Sequence, residues 1–60
     1  MEDYLKEYYH DVAFTNKRYE NNVIDRAQWE KELVGYLHLL RVKHPRIAKK
    51  EAKKFGIQLL

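Results

Sequence analysis

The 60 residues contain no cysteine and no serine, and Thr15 is the only aliphatic hydroxyl. The first absence removes disulfide scaffolds and every cysteine-based zinc or redox site. Together the two remove Ser and Cys nucleophiles. One proline and two glycines leave little material for linkers, so disorder is expected only at the two ends. No apolar run exceeds Leu33-Val34-Gly35-Tyr36-Leu37, far short of the roughly 20 residues a bilayer span requires. Met1-Glu2-Asp3 is acidic, whereas a signal peptide starts basic and continues apolar. The expected compartment is therefore the cytoplasm. A chain of this length suits one domain, spanning 1–60, with a thin core. It hides only about 60% of its unfolded surface on folding.

Charge is abundant and unevenly placed. Residues 1–30 hold four Lys/Arg against seven Asp/Glu, or −3. Residues 31–60 hold eight against two, or +6, which gives the formal +3 of the whole. Between 41 and 54 seven cations face a single acid, Glu51. Such asymmetry speaks of partners and solubility rather than of fold.

The apolar periodicity predicts three helices, near 3–20, 25–43 and 45–55. In the first, Tyr4, Leu5, Tyr8, Tyr9, Val12 and Ala13 fall on one side, Tyr19 continues it, and Phe14 points away. Phe14-Thr15-Asn16 is a weak stretch, because Thr and Asn are indifferent helix formers. A short β-hairpin over 12–24 is the alternative there. Asn21-Asn22 reads as a turn. Asp25 is an N-cap, with Gln28 placed to complete a capping box and Ile24 and Trp29 placed as a hydrophobic staple. Trp29, Leu33, Tyr36, Leu37 and Leu40 share one face of the second helix, while Val34, Leu39 and Val42 lie off it. A helix apolar on more than one side is central, packed by neighbours. Gly35 suggests a close approach by a backbone or a ring. His44-Pro45 ends this helix and starts the next, and Gly56 caps the third. There Ala48, Ala52 and Phe55 line one side and Arg46, Lys49, Lys50, Lys53 and Lys54 the other. The apolar tail Ile57-Gln58-Leu59-Leu60 is expected to fold back. The expected fold is all-α, a small three-helix bundle.

Few motifs carry chemistry. Residues 17–28 fail as a calcium loop: Lys17 stands where the first Asp belongs, Asn22 where the turn glycine belongs, and Gln28 where the bidentate Glu belongs. Helix 3 lacks the Trp and Asn signature of a homeodomain recognition helix. His10, His38 and His44 lack the spacing of metal ligands. Glu30 and Glu32 stand on different sides of a helix and form no dyad. No cofactor, metal or catalytic residue is expected, and no enzyme.

Two surfaces remain. Tyr4, Tyr8, Tyr9 and Tyr19 form a candidate aromatic patch, since tyrosine anchors protein interfaces. Arg46, Lys49, Lys50, Lys53 and Lys54 form a candidate cationic face. It suits an acidic protein surface or, alternatively, the phosphates of DNA or RNA. The same lysines also serve solubility and the helix dipole. The expected function is a small non-enzymatic regulator or inhibitor that binds another protein stoichiometrically, with a homodimer through helix 2 as a further possibility.

Overall fold

The computed structural model describes residues 4–59. Among these it shows three helices and no strand: α1 (Tyr4–Glu20), α2 (Arg26–Lys43) and α3 (Pro45–Phe55). The three-helix bundle expected from the periodicity is present. Asp3, the expected first helical residue, and Leu60, the last of the tail, lie outside the described residues.

Local signals set each boundary. α1 ends in a Schellman motif. Asn22 adopts φ 60°, and the amides of Val23 and Asn22 donate to the Arg18 and Tyr19 carbonyls at 2.9 and 3.1 Å. Asparagine tolerates this left-handed backbone better than most residues. At the start of α2 the Asp25 carboxylate accepts the Gln28 amide at 2.8 Å, which satisfies one orphan donor of the first turn. The capping box is not completed, because the Gln28 side chain donates to Glu32 instead. His44 closes α2 and precedes α3, whose first residue is Pro45. Gly56 (φ 72°) caps α3 through a second Schellman motif, with the Ile57 amide donating to the Ala52 carbonyl at 2.8 Å. This turn places Ile57 back in the core, and Leu59 packs against it.

α2 is central. Leu33, Leu37 and Leu40 are buried on it, against Tyr8 and Val12 from α1 and Ala48 and Ala52 from α3. α1 and α3 make no close backbone approach to each other. Two side-chain links join them instead. One is a ring cluster in which Tyr19 stacks on Trp29 at 5.3 Å and Phe55 meets Trp29 edge-on at 6.1 Å. The other is a hydrogen bond from the Tyr8 hydroxyl to Glu51 at 3.4 Å.

Two further expectations about the helices require correction. α1 does not weaken at Phe14-Thr15-Asn16 and no hairpin forms over 12–24; the helix is continuous to Glu20. Thr15 is fully buried and tied to α2, so tertiary contacts outweigh low intrinsic propensity. No close approach occurs at Gly35 either: it lies on the outer face of α2, and a Cβ there would meet nothing within 4 Å. Gly35→Ala therefore removes a helix-interior glycine at no steric cost. It is expected to stabilise the fold by about 0.5–1 kcal/mol, read as a Tm rise of about 4 °C. An unchanged or lower Tm would contradict the open geometry.

Candidate interaction surfaces

The four tyrosines do not form one exposed patch. Tyr8, only 4% exposed, belongs to the core. Tyr19 is half-buried and stacked on Trp29. Tyr4 and Tyr9 are exposed, but a five-residue separation places them about 140° apart around α1. The physical reason is the spacing of Tyr8, Val12, Thr15 and Tyr19, which is that of the helix face turned to the core. Burial, followed by the neighbouring Glu51 carboxylate, pushes the Tyr8 phenol above its ordinary 10.0. It therefore remains a protonated donor at neutral pH.

The cationic face is assembled. Arg46, Lys49, Lys50, Lys53 and Lys54 are all exposed. The one acid of α3, Glu51, is 9% exposed and points inward to Tyr8. Its place follows from spacing, since Ala48, Glu51, Ala52 and Phe55 are a turn apart on one side. The outer side of α3 thus carries cations with no carboxylate among them. Lys54 also lies over the Phe55 ring, 5.7 Å from its centroid, an arrangement that favours a cation.

A polar seam joins α1 to α2, and sequence reasoning missed it. Glu32 Oε1 lies 2.9 Å from the Arg18 guanidinium, 3.3 Å from Thr15 Oγ1 and 3.4 Å from the Tyr36 hydroxyl. Its Oε2 accepts from the Gln28 amide at 3.0 Å. Thr15 and Tyr36 are themselves 3.0 Å apart. The two hydroxyls and the carboxylate form one connected network, with Glu32 as its acceptor. One turn along, the Trp29 indole donates to Asn16 at 2.7 Å. The Gln28 amide, ahead of the Arg18 charge and the Thr15 hydroxyl, holds the Glu32 carboxyl below its ordinary 4.5, against a cost of desolvation. The i±4 pairs of Glu32 with Gln28 and Tyr36 were visible in the sequence; the partners across the helix interface were not.

A groove of about 240 Å³ opens between the first half of α1 and the last turns of α2. Tyr4, Glu7 and Asp11 form one wall, and Leu39, Val42 and Lys43 the other. Leu39 is 70% and Val42 76% exposed, so the neighbours of α2 leave these residues uncovered. Lys43 lies over the Tyr4 ring, 5.6 Å from its centroid. Among the described residues no group of three His, Cys, Asp or Glu is placed to hold a metal ion, and no helix is long and apolar enough to cross a membrane.

Comparison of the chain with protein-family models, curated proteins and solved structures gives no match.

Two measurements test the polar contacts. Tyr8→Phe removes the donor to Glu51 and is expected to cost about 1 kcal/mol in urea unfolding. Adding Glu51→Met should recover most of it, because replacing both partners is far cheaper than stranding one. For Glu32 the folded carboxyl sits below the unfolded value. Its contribution is present above pH 4.5 and is lost as pH falls through the folded value. Glu32→Gln should therefore flatten the acid limb of the stability profile below that pH; an unchanged limb would refute the assignment.

Proposed function

We propose that this chain is a small non-enzymatic regulator that binds an acidic surface of another protein through the outer face of α3. The observation that carries the reading is the position of Glu51. With this acid turned inward, Arg46, Lys49, Lys50, Lys53 and Lys54 present charge of one sign along a rigid helix about 16 Å long. Such a face steers association and selects partners of opposite charge. Its lysines act as hydrated point charges, which suits scattered carboxylates. The lack of a Ser or Cys nucleophile supports a binding role over a catalytic one.

Phosphate-directed binding to DNA or RNA is the second reading, favoured by the same acid-free row of cations. Against it stand a single arginine on the face and the distribution of exposed rings. Tyr4, Tyr9 and Phe14 all belong to α1, so no exposed ring is available on α3 for base stacking.

Lys49→Glu, Lys50→Glu and Lys53→Glu together test both readings. All three side chains are exposed, so the helical signal should be unchanged. In pull-down from nuclease-treated lysate the wild type should retain one stoichiometric acidic protein, and the triple variant should lose it. Retention that requires intact nucleic acid favours the second reading, as does a log–log salt slope of about −0.7 to −0.9 per phosphate met. Equal retention by wild type and variant would refute both.

A further inference from the structure

We propose that the groove between α1 and α2 is the contact surface of a two-fold symmetric homodimer. Six large hydrophobic side chains are exposed among the described residues, and three of them, Tyr4, Leu39 and Val42, line this one groove. That concentration, unlike scattered apolar residues, marks a contact surface.

The walls of the groove select the occupant. The α1 wall carries Glu7 and Asp11, and the α2 wall carries Lys43 beside the projecting Leu39 and Val42. The complement of an acidic, apolar groove is a helix end with apolar knobs and an adjacent cation. The last turns of α2 are such an end. A two-fold axis makes each contact twice, because the same patch serves both copies. Leu39 and Val42 of each chain then enter the groove of the other, and Lys43 of each meets Glu7 and Asp11 of the other. Like charges are kept apart by the same operation, which fixes the register. α3 contributes no residue to the groove. The dimer therefore displays two cationic helices, and its existence does not depend on what they bind.

The full chain tests this by sedimentation equilibrium at about 1 mM, where a micromolar interface is saturated. The expected mass is twice the 7.4 kDa of one chain, falling to one chain on dilution. Leu39→Glu should be monomeric with unchanged helical circular dichroism, since the side chain is exposed. Lys43→Glu alone and Glu7→Lys with Asp11→Lys should each be monomeric, because each homodimer would pair like charges. An equimolar mixture of those two variants should dimerise again, because every cross-chain pair is then opposite in sign. A wild-type chain of monomer mass at about 1 mM, or a dimer that survives Leu39→Glu, overturns the proposal. A charge-swapped mixture that stays monomeric overturns the two-fold register.

Discussion

The bundle depends on burial of one stripe of α2, formed by Leu33, Leu37 and Leu40. α1 and α3 do not approach each other through their backbones, so each is held chiefly by docking against this stripe. A short helix has little stability in isolation, and α3 has only 11 residues. Its order is inherited from the leucines beneath Ala48 and Ala52. The two alanines have a specific part in this: small side chains let a helix come close to its neighbour while its outer side remains entirely polar. The rigidity of the cationic face is thus a consequence of apolar contacts on the opposite side of the same helix.

α1 is held differently. Its contact with α2 includes the hydroxyl of Thr15, the amide of Asn16 and the guanidinium of Arg18, all directed at Glu32, Tyr36 or Trp29. Polar ties of this kind contribute modestly in net terms but are costly to break singly, so they fix the alignment of the helices more than they add stability. They also redistribute charge. Glu32 and Glu51 are the only acids in residues 31–60, and both are engaged in hydrogen bonds to α1. The carboxylates that could have neutralised the C-terminal half are thus committed to partners within the chain, Glu51 buried and Glu32 half-buried. Glu7 and Asp11 meanwhile line the groove on α1. The fold sharpens the asymmetry already present in the sequence.

The helices were legible because their ends are written in local chemistry. Asp25, Asn22, His44-Pro45 and Gly56 each act within one turn, through a cap, a left-handed residue or a missing amide. Thr15 and Asn16 were misread because propensity describes an isolated helix, and their partners lie 13 to 21 residues away. The cationic face was legible in the same way as the helix carrying it, by spacing alone. The division of the tyrosines between core and surface follows from spacing too, since Tyr8, Val12, Thr15 and Tyr19 have the spacing of a buried stripe, and an aromatic side chain alone does not mark an exposed patch. The inward place of Glu51 was also encoded, three residues after Ala48 and four before Phe55. Its charge hid this, because an acid is rarely assigned to a core face.

The uncovered part of α2 has a geometric origin. Its apolar residues occupy more of the helix circumference than two neighbours can screen. Leu33, Leu37 and Leu40 lie within one arc, while Leu39 and Val42 fall about 100° or more around the helix from Leu40. α1 and α3 both serve the first arc, and among the described residues no further helix covers the second. A chain of this size is short of buried surface already, so two large aliphatic residues left in water on its central helix are a loss that a further protein surface can recover. The acids of α1 border that exposed strip, while the lysines of α3 project from a different helix. A contact made along the strip therefore leaves the cationic face open, and the two surfaces can be occupied at once.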